Sequence, residues 1–169
     1  RKEKKKNQYA RSALKLGLAE QARLGVNPLK FGLIGSTDSH IGLSAVEENN
    51  FWGKVVTGYP GAERILVEGN RAPSHFNAAG YAAIWAVENT REALFASMKR
   101  KETYATTGPR MTIRFFGGWE YETTDAKRPD LARIGYSKGV PMGGDLTNAP
   151  KEKSPSFLIR AVKDPDGAN

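Results

Sequence analysis

The stretch Phe31-Gly32-Leu33-Ile34-Gly35-Ser36-Thr37-Asp38-Ser39-His40 joins an apolar run to two side chains that can bind metal. The apolar run predicts a buried strand over residues 30–35. Side chains two residues apart on an extended backbone point to the same side, so Asp38 and His40 are presented together. Carboxylate and imidazole groups are ligands for zinc, manganese or iron. A partly buried histidine beside a turn-capping aspartate would fit the same spacing.

The region before this stretch indicates an α/β fold. Residues 8–24 predict a helix, because Leu14, Leu18 and Ala22 recur at four-residue spacing. Gly25 suits the C-cap of that helix. The strand that follows is apolar on both faces, as a covered parallel strand would be. Helix, short turn and buried strand with polar groups at its C-terminal end is the pattern of an α/β barrel.

The region after this stretch predicts a change of architecture. Residues 41–79 are rich in glycine and proline and predict a long loop insert. Residues 82–87 form an apolar run, and a helix capped by Asn89 follows, with Leu94, Phe95 and Met98 as its buried stripe. Residues 111–116 and 156–162 predict strands, and residues 120–146 read as polar and turn-rich. The final third therefore predicts antiparallel β-structure.

Composition limits the classes of partner. The 169 residues are 39% hydrophobic and 26% charged, an ordinary balance for one globular domain with a core. The absence of cysteine excludes disulfides and thiolate metal sites. A formal net charge of +8 favours anionic partners. No apolar run approaches the roughly 20 residues of a membrane helix, so we expect no membrane partner.

The tryptophans argue against nucleic acid as a partner. Trp52, Trp85 and Trp119 are not interleaved with basic residues, as a base-stacking groove requires. Part of the positive charge lies in residues 1–6, a pattern typical of a solvated tail. We therefore interpret the tryptophans as packing residues. His75, after Pro73 and Ser74, is interpreted as a loop residue.

A family resemblance extends the interpretation of Asp38 and His40. Residues 35–40 (GSTDSH) resemble the fourth motif of the polymerase-and-histidinol-phosphatase (PHP) superfamily, in which a small residue and Asp-x-His end a strand. The resemblance continues through residues 27–34 (NPLKFGLI), 89–95 (NTREALF), 102–110 (ETYATTGPR) and 114–119 (RFFGGW). Together these segments resemble a bacterial, mostly uncharacterised branch of PHP-like proteins near the CehA/McbA metalloproteins.

The resemblance implies a particular fold and domain organisation. Residues 1–110 would be the C-terminal portion of a distorted (β/α) barrel with a long loop insert. Residues 111–169 would be an antiparallel β extension, incomplete at its C-terminal end. Family members carry an earlier His-x-His pair and further ligands, and only Asp38 and His40 match here. We therefore expect a fragment of a longer protein, inactive alone, whose missing N-terminal part is its partner.

The resemblance also implies a function. PHP proteins are metal-dependent hydrolases, mostly phosphoesterases, whose divalent metals (zinc, manganese or iron) activate water and clamp ester oxygens. A small anionic or ester substrate is expected, and an aryl ester or amide would fit as well. Arg110 is the candidate substrate-binding residue because arginine matches phosphate bidentately, although a surface arginine would fit equally. Analogy with exported members suggests a periplasmic or envelope location. The alternative is a non-catalytic basic protein that binds anions or polyanions on a degenerate barrel.

Overall fold

The chain is a mixed α/β protein in which two parts can be described separately. The structure, a computed structural model, describes residues 9–38 and 80–165. Its internal contacts divide the chain into two units, Arg1–Gly32 and Leu33–Asn169. In the described residues the first unit holds one helix, and the second holds two helices and two antiparallel sheets. This confirms the predicted α/β class, while the predicted domain boundary at residue 110 stays a prediction.

The first unit confirms the predicted N-terminal helix. Helix α1 spans Ala10–Leu24 and ends at Gly25, whose φ of 80° is left-handed. The Gly25 N–H donates to the Gln21 carbonyl oxygen at 2.9 Å, which closes the last turn. Two of the leucines whose spacing predicts this helix are exposed, Leu14 at 39% and Leu18 at 65%.

The turn after α1 folds back onto the middle of the helix. Gly17 is buried there, and an ideal Cβ on it would lie 2.3 Å from Asn27 Oδ1. The same oxygen accepts a hydrogen bond from the Leu29 N–H at 2.9 Å. A glycine at this position therefore allows the Asn27 side chain to pack against the helix backbone.

The second unit contains a two-stranded antiparallel sheet. Strands β1 (Tyr81–Ile84) and β2 (Thr103–Thr106) pair in register from Tyr81 opposite Thr106 to Ile84 opposite Thr103. Helix α2 (Arg91–Lys99) connects them. Its cap is Thr90, whose Oγ1 accepts from the Ala93 N–H at 3.3 Å, so the prediction of Asn89 was wrong by one residue. The predicted stripe is also wrong, because Phe95 and Met98 are exposed.

A three-stranded antiparallel sheet carries the core of the second unit. Strand β3 (Thr112–Gly118) lies between β4 (Gly139–Pro141) and β5 (Ser156–Val162). Helix α3 (Leu131–Lys138), which the sequence analysis missed, covers one face. The buried apolar side chains of this layer are Phe116, Leu131, Ile134 and Leu158. The predicted antiparallel β-structure of the final third is confirmed.

Two aromatic side chains, Trp85 just after β1 and Tyr104 on β2, form hydrogen bonds with backbone groups at the edge of β3. Strand β4 pairs only with Phe116–Gly118, at the C-terminal end of β3. Earlier in β3, Trp85 Nε1 donates to the Ile113 carbonyl oxygen at 2.8 Å. The Tyr104 hydroxyl accepts from the Ile113 N–H at 3.2 Å and donates to the Met111 carbonyl oxygen at 2.9 Å. Trp85 is thus a packing residue, as predicted, and the two sheets are joined through side-chain bonds to backbone.

The buried Asp125 anchors a short 3-10 helix to α3. The 3-10 helix spans Asp125–Lys127. The Asp125 carboxylate accepts from the Glu122 N–H at 2.9 Å and from Lys138 Nζ at 2.9 Å. The backbone hydrogen bond from Glu122, followed by that from Lys138, lowers the pKa of Asp125 below its ordinary value. This carboxylate therefore remains charged inside the folded unit.

The predicted buried strand over residues 30–35 is wrong. Residues 30–38 have no regular secondary structure, and Ile34 is 64% exposed. A parallel strand covered on both faces would bury both Leu33 and Ile34, yet both are exposed here. In the described residues neither sheet closes into a barrel, and no helix there is long and apolar enough to cross a membrane.

Candidate functional site

One end of the two-stranded sheet is closed by backbone contacts at glycines. This glycine end consists of Gly35, Gly80, Tyr81 and Thr106. An ideal Cβ on Gly80 would lie 2.0 Å from the Ser36 carbonyl oxygen, and one on Gly35 would lie 2.5 Å from the Tyr81 carbonyl oxygen. Gly80 also has a φ of 96°, which L-residues rarely adopt. Glycine at both positions is therefore what allows the segment before Asp38 to lie against the sheet.

The segment over residues 33–36 runs beside β2 in the same direction. Its start is held where the Thr103 Oγ1 donates to the Leu33 carbonyl oxygen at 3.1 Å. Two residues later, an ideal Cβ on Gly35 would lie 3.1 Å from the Thr106 carbonyl oxygen. The segment therefore follows the sheet from one end to the other, and it delivers Asp38 just past the glycine end.

Asp38 has a backbone conformation that is uncommon for its residue type. Its φ is 56°, in the left-handed region, and its side chain is exposed. Its N–H donates to the Ser36 Oγ over a long 3.4 Å. Left-handed backbone at a non-glycine residue costs of order 1 kcal/mol and persists where neighbouring structure enforces it. Ser36, two residues before Asp38, lies against Gly80 at the glycine end.

Thr106 contributes a buried hydroxyl to the glycine end. The residue is 8% exposed, and its Oγ1 has no hydrogen-bond partner in the described part of the chain. A buried hydroxyl without a partner costs roughly 1–3 kcal/mol. It is therefore a buried polar group of the glycine end whose hydrogen-bonding capacity is unused within the described residues.

Arg110 lies beside the same end. Its guanidinium carbon is 5.6 Å from the centroid of the Tyr81 ring, within range for a cation–π contact. Its backbone N–H donates to Asp164 Oδ2 at 2.5 Å, which fixes the loop between β2 and β3. Arg110 and Asp38, the two predicted site residues that the structure describes, are thus both adjacent to the glycine end.

The predicted histidines cannot be placed at this site. His40 and His75 lie outside the described residues. Within residues 9–38 and 80–165, no group of three or more histidine, aspartate or glutamate side chains could hold a metal ion. Of the two predicted metal ligands, only Asp38 lies within the described residues.

The other end of the sheet is built from charged and aromatic side chains. This carboxylate end consists of Trp85, Arg100, Glu102, Arg114 and Tyr136. Glu102 is only 3% exposed, and its two oxygens lie 3.3 Å from Arg100 Nη2 and 3.7 Å from Arg114 Nη1. The Tyr136 hydroxyl also donates to Glu102 through a short hydrogen bond. The buried carboxylate is thus fully compensated.

Arg114 is fixed on three sides at the carboxylate end. Its guanidinium carbon lies 3.3 Å from the Trp85 ring centroid, and its Nη1 donates to the Tyr136 hydroxyl at 3.1 Å. Burial, and then the hydrogen bond to Glu102, raises the pKa of Tyr136. The sequence analysis missed this cluster, because periodicity placed Arg114 on a strand face without indicating which partners would meet it.

Comparison with known proteins supplies a family but no activity. The family model described as "Protein of unknown function (DUF3604)" matches residues 1–169. The chain belongs to the DUF3604 family. No curated protein and no solved structure matches it. The chemistry of this DUF3604 chain therefore has to be argued from its own residues.

Proposed function

We propose that this chain is part of a metal-dependent hydrolase, specifically a phosphoesterase, with Asp38 and His40 as metal ligands. The observation that carries the proposal is the backbone of Asp38. A left-handed aspartate stands at the end of a segment that makes two close glycine contacts and whose sequence resembles a PHP metal motif. Strained backbone of this kind concentrates at functional sites.

The residues of the glycine end fit a divalent metal in part. The exposed Asp38 carboxylate is a ligand type shared by zinc, manganese and iron. The unpartnered Thr106 hydroxyl adds a polar group nearby. His40, two residues after Asp38, supplies the imidazole, and the remaining ligands come from the longer protein. A metal held there would supply Lewis-acid polarisation and would lower the pKa of bound water.

Arg110 is the proposed substrate-binding residue. Its contact with the Tyr81 ring holds the guanidinium beside the glycine end. A guanidinium presents two parallel N–H donors to the oxygens of a phosphate ester. Arg110 would thus orient the ester and offset its negative charge. The Asp38 carboxylate would be the anionic ligand of the metal.

The finer fold assignment belongs to the same proposal. We infer that residues 33–38 and the β1–β2 sheet form the C-terminal part of a distorted PHP-type barrel, completed by preceding strands of the longer protein. What supports this is the course of residues 33–36 beside β2 in the same direction. A preceding strand could continue that layer.

The decisive experiment uses the full-length protein. Asp38→Ala and His40→Ala should each lower metal-stimulated hydrolysis of 4-nitrophenyl phosphate by at least about 100-fold. Metal content measured by mass spectrometry should fall in parallel. The aryl ester 4-nitrophenyl acetate, assayed beside the phosphate, decides which bond is cleaved.

The matched control is Glu92→Ala, which removes an exposed carboxylate from α2. It should leave activity, metal content and the circular dichroism spectrum unchanged. Full activity in both Asp38→Ala and His40→Ala would show that the proposed metal site is wrong.

A further inference from the structure

A groove separate from the glycine end opens between the three-stranded sheet and the start of α3. It encloses about 260 Å³. Its lining includes one aromatic ring and four charged side chains: Trp85, Arg114, Asp130, Arg133 and Arg160. Three positive charges and one negative charge give the groove walls a net charge of +2. The groove is therefore suited to an anion.

The register of the sheet places two of these arginines side by side. Arg114 on β3 is directly opposite Arg160 on β5. Directly opposed side chains on antiparallel strands have Cβ atoms about 5 Å apart, and like charges there are destabilising. An oxyanion bound between the two guanidinium groups would relieve that repulsion.

The two arginines differ in how far their charge is already offset. Arg114 is 21% exposed and is held by Glu102 and the Trp85 ring, so its position in the groove is fixed in advance. Arg160 has no carboxylate partner within the described residues. Its Nη2 donates to the Arg128 carbonyl oxygen at 2.9 Å, which leaves its other N–H donors available.

The carboxylate at the rim of the groove already has arginine partners of its own. Arg133 pairs with Asp130, which also accepts from Arg128 Nε at 3.0 Å. The hydrogen bond from Arg128 is the main cause that lowers the pKa of Asp130 to about 2. Asp130 is therefore occupied by its own arginines, and its charge does not cancel that of Arg160.

We propose that this groove binds the phosphate group of a small molecule, chiefly through Arg114 and Arg160. A phosphate has three outer oxygens and a charge between about −1.5 and −2 at neutral pH, which matches two neighbouring guanidinium groups. The ligand is a compact phosphomonoester rather than a polymer, because the arginines converge on one groove. The proposal does not depend on metal at Asp38.

The test is calorimetric titration of inorganic phosphate into the chain at low ionic strength with a chelator present. We expect a dissociation constant of about 1 mM. Arg160→Gln should raise it about tenfold, as loss of a charge-assisted hydrogen bond does. Arg160→Lys keeps the charge but not the paired donors. Its dissociation constant should therefore lie between that of the unchanged chain and that of Arg160→Gln.

The matched control is Arg91→Gln, which removes one exposed positive charge from α2, away from the groove lining. It should change the dissociation constant by less than about twofold, since a distant exposed charge is screened. Equal weakening by Arg91→Gln and Arg160→Gln would overturn the proposal, because binding would then follow net charge alone.

Further titrations distinguish this groove from anion binding elsewhere on the chain. Phosphate binding should persist in Arg110→Gln, which removes the guanidinium beside the glycine end, so its loss there would assign the anion to that end and refute the groove. Acetate that binds as tightly as phosphate would exclude a dianion site. Tight binding of heparin that Arg160→Gln leaves unchanged, with no phosphate binding, would overturn the groove in favour of a polyanion surface.

Discussion

The two ends of the β1–β2 sheet are held by opposite means. At the glycine end, backbone lies against backbone, and the absence of side chains at Gly35 and Gly80 allows the contact. At the carboxylate end, one buried Glu102 gathers arginine, tyrosine and, through Arg114, tryptophan side chains. The glycine end includes a short sequence motif, whereas the residues of the carboxylate end form no motif in the sequence.

The difference teaches where function can be recognised in this chain. The glycine end holds one continuous segment, residues 33–38, and the short motif in that segment can be recognised in the sequence, although its contacts with Gly80 and Thr106 cannot. The carboxylate end joins residues far apart in sequence, such as Glu102 and Tyr136, so only the folded chain reveals it. Substitutions at the two ends should therefore change stability by different mechanisms.

The largest effect is expected at the carboxylate end. Glu102→Ala removes the partner of two arginines and should lower the free energy of unfolding by about 4 kcal/mol, the cost of breaking a buried ion pair. Urea denaturation followed by circular dichroism measures it. The control Glu92→Ala should change stability by less than about 0.5 kcal/mol. A similar small change for Glu102→Ala would mean that the cluster does not stabilise the fold.

The second-largest loss of stability is expected from a substitution at the glycine end. Gly80→Ala should lower the free energy of unfolding by about 3 kcal/mol, because the new Cβ meets the Ser36 backbone and φ is positive. Gly25→Ala is the matched control, since its φ of 80° carries the strain while nothing lies within 4 Å. It should cost only about 1 kcal/mol. Equal losses at both glycines would show that backbone strain alone matters.

A pair of threonines compares the two ends directly. Thr103 and Thr106 are equally buried, at 8% exposed each. Thr103→Val removes the hydrogen bond to the Leu33 carbonyl and should destabilise by about 1 kcal/mol. Thr106→Val removes a hydroxyl without a described partner and should stabilise by about 1 kcal/mol. Thermal denaturation of both variants tests the signs, and destabilisation by Thr106→Val would mean that its hydroxyl is already satisfied.

The smallest effect is a pH dependence of stability that arises from the buried carboxylate of Asp125. The pKa of Asp125 is lowered in the folded state, so its contribution to stability is present above the unfolded pKa of about 3.9. That contribution is lost as pH falls through the lower, folded value. Asp125→Asn should therefore flatten the fall in melting temperature as the pH drops below about 4. An unchanged slope would assign acid sensitivity to other groups.

The parts of the fold that follow from local signals could be predicted from the sequence. The α1 helix, its Gly25 cap and strand β5 were predicted because periodicity and turn residues act over a few positions. Helix α3 was missed because Gly135 interrupts its pattern. The structure explains that glycine, since an ideal Cβ there would lie 2.5 Å from the Phe116 ring.

The candidate site was likewise only partly predictable from the sequence. Asp38 and Arg110 were named from sequence, and the structure places both beside the glycine end. The apolar run before Asp38 suggested a buried strand, yet Leu33 and Ile34 are exposed, because burial depends on neighbours that periodicity does not specify. The opposition of Arg114 and Arg160 depends on strand register, which is set by tertiary pairing.

The aromatic bonds to β3 also bear on self-association. Unpaired strand edges recruit strands from other molecules and so promote aggregation. Trp85 and Tyr104 occupy the backbone groups of Ile113 that such a strand would use. Removing both polar groups, as in a Trp85→Phe and Tyr104→Phe double variant, would expose that edge. These two side chains therefore protect solubility as well as joining the sheets.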